Sequence, residues 1–183
     1  MNFQDTQLIG VLARAESTVS SLSDLLGGLV EKFVARGYPL YLVGGSVRDA
    51  LLGRLGNDLD FTTPARPEVV KEILDEWAET VWDTGIDFGT VSAAYKGQQI
   101  EITTFRSDSY DGQSRNPEVV YGDTLEGDLV RRDFKVNAMA IELLADATFK
   151  FHDPLHGLQD VADRVLDTPD KPEISFHDDP LRM

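Results

Sequence analysis

The chain contains no cysteine among its 183 residues, which excludes disulfide bonds and thiolate metal sites. It has no apolar run near the length of a membrane span, and its N-terminus lacks the basic region and hydrophobic block of a signal peptide. These absences are those expected of a cytoplasmic protein with no membrane partner.

Positive charge is also scarce, with 17 Lys and Arg residues against 32 Asp and Glu residues and a net charge of −15. Because a polyanion is repelled by such a chain, this balance argues against strong nucleic-acid binding by the chain alone. Hydrophobic residues make up 42% of the sequence. This share is ordinary for a globular protein, and the length suits one domain with a substantial core.

The most informative stretch combines a strand, a turn, a helix and a second strand. A short apolar strand is predicted over residues 40–43, and it breaks at Gly44–Gly45. Ser46 is predicted to cap the helix that follows it, and Gly53 to end that helix. A second strand is predicted over residues 58–62.

Two carboxylates lie on one face of this second strand. Side chains alternate along a strand, so Asp58 and Asp60 share a face while Leu59 and Phe61 point to the core. Carboxylates this close raise each other's pKa unless a cation lies between them. Mg2+ prefers oxygen ligands and commonly also binds substrate phosphates. The sequence therefore predicts a Mg2+ site at Asp58 and Asp60.

The glycine turn predicts a phosphate site beside the metal. Glycine lets the backbone approach a ligand closely, and the N–H groups of a helix N-terminus attract anions. The predicted phosphate contacts are Gly44, Gly45, Ser46 and Arg48. A Gly-Gly turn or an Asp-x-Asp pair is common when it occurs alone, but the ordered combination is much more specific. Neither a Walker A loop nor the dinucleotide-binding fingerprint is present.

A hairpin is predicted from strands at residues 88–95 and 99–105. On its second strand, Glu101 is either a third carboxylate for the metal site or an exposed strand residue. The polar, turn-rich stretch 106–123 that follows is predicted to be a mobile loop. Its Arg106 and Arg115 are candidate phosphate contacts, or ordinary solvated residues.

A second polar motif occupies residues 126–140. On a helix, Arg131 and Arg132 would point in different directions, so one can reach a phosphate while the other pairs with an acid such as Asp128. Asn137 can hydrogen-bond a ribose or orient a carboxylate.

The remaining signals predict structural elements. Pro67 is expected to start a helix whose apolar face extends to Trp77, and residues 138–151 are expected to form a second hairpin. The pairs His152–Asp153 and His177–Asp178 could suggest a metal phosphohydrolase, but no dense set of further ligands accompanies them. Turns or helix caps are the preferred interpretation.

Segments of the chain resemble, in order, motifs of the class II tRNA nucleotidyltransferases and the bacterial poly(A) polymerases that share their head domain. They are Leu-Val-Gly-Gly-Ser-Val-Arg-Asp at 42–49 with Asp-Leu-Asp-Phe-Thr at 58–62, Glu-Ile-Thr-Thr-Phe-Arg at 101–106, Arg-Arg-Asp-Phe-Lys-Val-Asn-Ala at 131–138, and Ile-Ser-Phe-His-Asp-Asp-Pro-Leu-Arg at 174–182. Lys135 stands where threonine is usual. The last segment resembles the motif at the hinge between head and neck.

The resemblance implies an α+β nucleotidyltransferase head, related to the polymerase beta superfamily, with a small mixed or antiparallel sheet flanked by helices. It implies Mg2+-dependent transfer of AMP or CMP from ATP or CTP to an RNA 3′ end, such as that of tRNA, and a flexible loop that helps to switch nucleotide choice. The residues that receive roles are Asp58, Asp60 and Glu101 in catalysis, and Gly44, Gly45, Ser46, Arg48, Arg132, Asp133 and Asn137 in nucleotide binding.

Three regions are expected along the chain. Residues 1–36 have apolar residues at helical spacing, interrupted at Gly27–Gly28, and are predicted to pack on the head. Residues 37–168 form the catalytic head, and residues 169–183 begin the hinge. In the resembled family the base-selecting element and most of the tRNA-binding surface lie further on. The chain is therefore expected to be a catalytic head fragment that binds RNA mainly through regions absent from it.

Two alternatives stay open. A stand-alone nucleotidyltransferase acting on a protein or small molecule would not need the Arg-Arg-Asp motif. A non-catalytic nucleotide-binding module would predict a broken carboxylate set, and here the set is intact. The sequence does not separate CCA addition, partial C or A addition, and poly(A) synthesis.

Overall fold

A computed structural model describes residues 3–107, 120–146, 148–173 and 175. The helices are α1 (Phe3–Ala35), α2 (Gly44–Leu51), α3 (Pro67–Asp75), α4 (Leu125–Val130) and α5 (Gly157–Asp163), with short 3-10 helices at Ile86–Phe88 and Lys135–Asn137. The strands are β1 (Leu40–Val43), β2 (Asp58–Thr63), β3 (Thr80–Trp82), β4 (Thr90–Tyr95), β5 (Gln98–Thr104), β6 (Arg106–Ser107), β7 (Val120–Tyr121), β8 (Ala140–Leu143) and β9 (Phe149–His152).

Seven strands form one mixed sheet in the order β3-β4-β5-β2-β1-β8-β9. Within the described residues, β2 and β5 pair in parallel and every other neighbouring pair of this sheet is antiparallel. Strands β6 and β7 form a separate two-stranded ribbon. This architecture confirms the predicted mixed sheet flanked by helices.

One face of the sheet carries the main hydrophobic core. Alternate residues of the central strands point into it, among them Leu59 and Phe61, each 1% exposed. Helices α1, α2 and α3 supply the opposing apolar side chains, of which Phe33 of α1 is fully buried. Each fully buried side chain of this size contributes about 1.5–3 kcal/mol of hydrophobic stabilisation. The core thereby fixes which residues of β2 remain on the other face.

The opposite face of the sheet is only partly covered. Helix α4 packs there through Leu129 against Val43 and Ala140, which forms a second, smaller apolar cluster. The adjoining part of this face keeps the polar side chains of β2 and β5 accessible. The candidate site lies on this open face.

Helix α1 runs without interruption through the predicted weak point at Gly27–Gly28. A Cβ atom added to Gly28 would lie 3.5 Å from Nε1 of Trp77, so the residue allows a close approach of the indole. Trp77 itself lies beyond the end of α3 at Asp75 and stacks on Tyr95, with ring centroids 4.1 Å apart. The prediction that the helix extends to Trp77 was wrong, although its start at Pro67 is confirmed.

Helix α2 begins earlier than predicted. It starts directly at Gly44, with Val43 of β1 at the N-cap position and no side-chain cap. Gly44 has φ +66°, a conformation that lets the chain turn from strand to helix without a spacer. The expectation that Ser46 caps this helix was therefore wrong. The predicted end is confirmed, because Gly53 follows the last turn with φ +68°.

Candidate active site

Strand β2 presents two carboxylates on the open face, as predicted. Asp58 and Asp60 are exposed while the alternating Leu59 is buried. The parallel register places Glu101 of β5 directly beside Asp60. Loss of hydration, followed by the charges of Glu101 and Asp58, raises the pKa of Asp60, while Arg132 opposes the rise. The structure therefore brings all three predicted carboxylates together.

The donor set suits a hard divalent cation that is shared with a substrate. Within the described part of the chain, no group of three or more His, Asp or Glu side chains is arranged so that it could hold a metal ion. Mg2+ commonly takes one or two protein carboxylates and completes its shell with water and substrate phosphates. The crowding of negative charge at Asp60 is the environment that a cation would relieve. Asp58 and Asp60 therefore fit a Mg2+ site of this open kind.

The hydroxyl of Ser46 joins α2 to the carboxylate strand. Its Oγ accepts a hydrogen bond from the backbone N–H of Asp60 at 2.9 Å and donates to the backbone oxygen of Asp58 at 3.4 Å. Ser46 is 4% exposed. The side chain thus positions β2 instead of capping α2.

Two guanidinium groups flank the glycine turn at the start of α2. A Cβ atom on Gly44 would lie 2.9 Å from Nη1 of Arg132, and a Cβ atom on Gly45 would lie 3.3 Å from Nη2 of Arg48. The absence of side chains here lets both cations lie against the turn. Helix N–H groups and two arginines therefore lie together at this turn, which is a favourable site for a phosphate chain, and Ser46 links the turn to the carboxylate strand.

Arg48 is held by partners on both sides. Its Nε and Nη2 donate to the two carboxylate oxygens of Asp49 at 3.0 and 3.2 Å, and its Nη1 donates to Oδ1 of Asn137 at 2.8 Å. The Asn137 amide donates in turn to both oxygens of Asp133, at 2.9 and 3.2 Å. Asn137 therefore contacts both the Arg48 guanidinium and the Asp133 carboxylate, and orienting a carboxylate is one of the two roles predicted for it.

Arg131 and Arg132 both contact the acid that was predicted to pair with one of them. Helix α4 ends at Val130, so both arginines follow its last turn. Both approach Asp128, with Arg131 Nε at 3.5 Å and Arg132 Nη2 at 3.2 Å. Asp128 is 1% exposed and was predicted to pair with one arginine only. Its spacings of three and four residues to the arginines were the available signal for both contacts.

Arg106 lies at the edge of the same cluster. Its backbone N–H donates to Oδ1 of Asp128 at 3.1 Å, and its Nη2 donates to Oγ1 of Thr90 at 3.2 Å. Partial burial, and then the neighbouring charge of Arg131, lowers the pKa of its guanidinium. Arg115, the other candidate from this stretch, lies outside the described residues.

Lys135 forms an ion pair where a threonine is usual in the resembled motif. Its Nζ lies 2.6 Å from Oδ2 of Asp167, and this contact raises the pKa of the lysine. Asp153 caps α5, because its carboxylate accepts the backbone N–H groups of Gly157 and Leu158 at 2.7 and 3.0 Å. The structural role preferred for the first His-Asp pair is confirmed for Asp153. The second pair, His177–Asp178, lies outside the described residues, and so does the resembled hinge segment apart from Ser175.

The open sheet face thus carries carboxylates beside a glycine turn that is flanked by arginines. The chain belongs to the poly A polymerase head domain family, whose model matches residues 40–167. This confirms the family that the sequence motifs indicated. Within the described residues, no helix combines the length and apolarity needed to cross a membrane.

The chain is similar to several CCA-adding enzymes. It is 41% identical over 156 residues to that of Listeria innocua, covering 85% of this chain and 38% of the relative. It is 43% identical over 148 residues to that of Lactobacillus helveticus, covering 80% and 35% respectively. The chain therefore spans well under half the length of these relatives.

Solved structures show the same similarity. The chain matches the Bacillus stearothermophilus CCA-adding enzyme in complex with CTP with a TM-score of 0.72 and 36% identity, over 88% of this chain and 37% of the other. It matches a CCA-adding enzyme in apo form II with a TM-score of 0.76 and 31% identity, over 94% and 40%. A further match, with a TM-score of 0.68, 30% identity and coverage of 84% and 42%, is a tRNA nucleotidyltransferase complexed with a primer tRNA and an incoming ATP analog.

Proposed function

We propose that this chain is the catalytic head of a template-independent RNA nucleotidyltransferase, which transfers AMP or CMP from ATP or CTP to a tRNA 3′ end with Mg2+. The observation that carries the proposal is the convergence of Asp58 and Asp60 with two guanidiniums at the Gly44 turn. Similarity to CCA-adding enzymes, one of them bound to CTP, supports the substrate class and the tRNA end.

The proposed metal site consists of Asp58 and Asp60, with Glu101 adding negative charge beside it. When bound there, Mg2+ would lower the pKa of the attacking RNA hydroxyl and offset charge on the triphosphate. Its fit rests on the geometry of the open face, where Asp58 and Asp60 lie on the same side of β2 and the parallel register places Glu101 beside Asp60.

The chain's other residues bind and orient the triphosphate in this proposal. Arg132 and Arg48 place their guanidiniums against Gly44 and Gly45 at the start of α2, where they donate hydrogen bonds to phosphate oxygens. Asn137, fixed by Asp133, holds Arg48 in place. Nucleotidyl transfer asks little covalent chemistry of the protein, so orientation and electrostatic stabilisation are its main contributions.

RNA affinity is proposed to come mainly from regions outside this chain. A net charge of −15 opposes the approach of a polyanion, and few counterions are released when it binds. Phosphate contacts at the nucleotide site involve only a few arginines. The 183-residue chain should therefore bind triphosphates but hold tRNA weakly at physiological salt.

The test is incorporation of α-labelled CTP and ATP, with Mg2+, into tRNA lacking its 3′ terminus. The 183-residue chain is compared with a chimera in which it replaces the corresponding region of the Listeria innocua relative. Sequencing the 3′ ends identifies the product, and the Asp58→Asn, Asp60→Asn double variant is the control. The proposal predicts metal-dependent addition that the double variant lacks. Label transferred to a protein or small molecule instead of RNA would contradict it.

A further inference from the structure

Among the described residues, Arg132 hydrogen-bonds to one acid, Asp128, and its charge also interacts with Asp60. Its Nη2 donates to Oδ2 of Asp128 at 3.2 Å, and among the described residues this is its only side-chain hydrogen bond. Its Nε is buried without a partner. Arg48, on the other side of the glycine turn, is held by both Asp49 and Asn137. The position of Arg132 is therefore far more sensitive to one neighbour.

That neighbour is a buried carboxylate with contacts on two separate segments. Asp128 is 1% exposed, and its Oδ1 accepts the backbone N–H of Arg106 at 3.1 Å while Oδ2 accepts Arg132. Burying a carboxylate costs several kcal/mol unless hydrogen bonds and opposite charges compensate for it. These donors, together with Arg131, whose Nε lies 3.5 Å from Oδ1, supply the compensation, so neither hydrogen bond can be given up cheaply.

Arg106 is the first residue of the β6–β7 ribbon, and the ribbon is anchored to the main sheet. Nη2 of Arg106 donates to Oγ1 of Thr90, which lies 2.9 Å from Oγ1 of Thr103. At the ribbon's other strand, the Tyr121 ring lies 4.6 Å from the Arg66 guanidinium carbon. The ribbon thus has a defined position from which it contacts Asp128.

We propose that Asp128 is a positioning residue that fixes Arg132 at the Gly44 turn and couples it to the β6–β7 ribbon. The inference rests on the proposed function, because it gives Arg132 a triphosphate to bind. One rigid, planar carboxylate joins the two contacts, so a shift of either partner strains the other. A triphosphate that draws Arg132 into one position should therefore tighten the hydrogen bond at Arg106, and the coupling is reciprocal.

The first test is a double-mutant cycle on CTP affinity, measured with Mg2+. Asp128→Asn keeps the shape but removes the charge, and its amide can turn an N–H group toward Arg132. It should weaken CTP binding by about tenfold, the effect of losing a hydrogen bond to a charged group. In an Arg132→Ala background the same change should weaken binding less than twofold, because its effect acts through the arginine. Glu76→Gln, which alters a surface acid paired with Lys32 and Arg36, is the matched control and should leave affinity unchanged.

The second test is hydrogen exchange at the Arg106 amide. CTP should slow this exchange in the wild-type protein and have little effect in Asp128→Asn. Asp128→Glu retains the buried charge, so it provides a second variant if the Asn variant does not fold; its longer side chain should also weaken CTP binding.

The outcomes separate the inference from the proposed function. Additive effects of the Asp128 and Arg132 changes, or an Arg106 amide indifferent to CTP, would overturn the coupling alone. An Asp128→Asn protein with a lower Tm but unchanged CTP affinity would also overturn the coupling. A wild-type protein that fails to bind CTP would contradict the proposed function and remove the inference with it.

Discussion

Replacing Gly44 with alanine tests the phosphate site through one added methyl group. The residue has φ +66°, and its added Cβ would lie 2.9 Å from Nη1 of Arg132. Two separate costs follow, one for the backbone conformation and one for the displaced guanidinium. The first lowers stability and the second lowers triphosphate affinity, so different measurements report them.

The magnitudes can be worked out for each cost. A non-glycine residue in the left-handed region is destabilised by about 1–2 kcal/mol. The contact with Arg132 involves the tip of a flexible side chain, whose Nη1 can turn away from Gly44 while Nη2 keeps its hydrogen bond to Asp128, so little further stability is lost. The moved guanidinium no longer reaches the phosphates, and a hydrogen bond to a charged group contributes about 1.5–3 kcal/mol. Gly44→Ala should therefore reduce CTP affinity roughly ten- to a hundredfold.

Gly97→Ala is the matched control. Gly97 has φ +78°, but a Cβ atom there would have no neighbour within 4 Å, and the residue lies in the turn between β4 and β5. Urea unfolding should show similar destabilisation of both variants, and calorimetric titration with CTP should show weaker binding for Gly44→Ala alone. Equal CTP affinity of the two variants would refute the placement of Arg132 beside the triphosphate.

Two other predictions address Asp60 of β2 and Arg48. The raised pKa of Asp60 makes the folded state bind more protons than the unfolded chain, so its contribution to stability falls as the pH rises from about 4 through the raised value. Asp60→Asn should therefore be more stable than wild type in urea at pH 7 but not at pH 3, and a stability difference that does not change with pH would contradict this. Mg2+ should raise the Tm of the wild-type protein only. Arg48→Ala should weaken CTP binding by about 1.5–3 kcal/mol. Arg54 also contacts Asp49, but its side chain is 65% exposed, so Arg54→Ala should leave CTP binding unchanged. Equal effects of the two variants would remove Arg48 from the site.

The elements that could be predicted carry their signal within a few residues. Alternation along β2 separates Asp58 and Asp60 from the buried Leu59, and the structure has the same arrangement. Pro67 supplies the fixed φ of a first helical turn, and α3 begins there. The pairing of Glu101 with Asp60 required a choice between two interpretations, because the register of parallel strands is not visible in either strand alone.

The features that could not be predicted depend on contacts between distant residues. Serine is a common helix-capping residue, but α2 starts before Ser46. The Ser46 hydroxyl instead accepts a hydrogen bond from the backbone N–H of Asp60, 14 positions away. Gly28 interrupts a helical pattern, yet the space it leaves is used by Trp77. Strand β3 has three residues and lies at the sheet edge, too short for a periodic signal. In the first two cases tertiary packing outweighed a local preference.

The acidic composition and the arginine-lined turn act over different distances. Charges on the surface are screened within about 8 Å at physiological ionic strength, so most of the −15 net charge has little effect on a phosphate already in contact with Arg48 and Arg132. A long RNA, by contrast, meets the whole surface and experiences that net charge. Composition is therefore a valid guide to RNA affinity and a poor guide to triphosphate binding. In the proposed function, triphosphate binding depends on whether Gly44 and Gly45 admit the two guanidiniums at the start of α2.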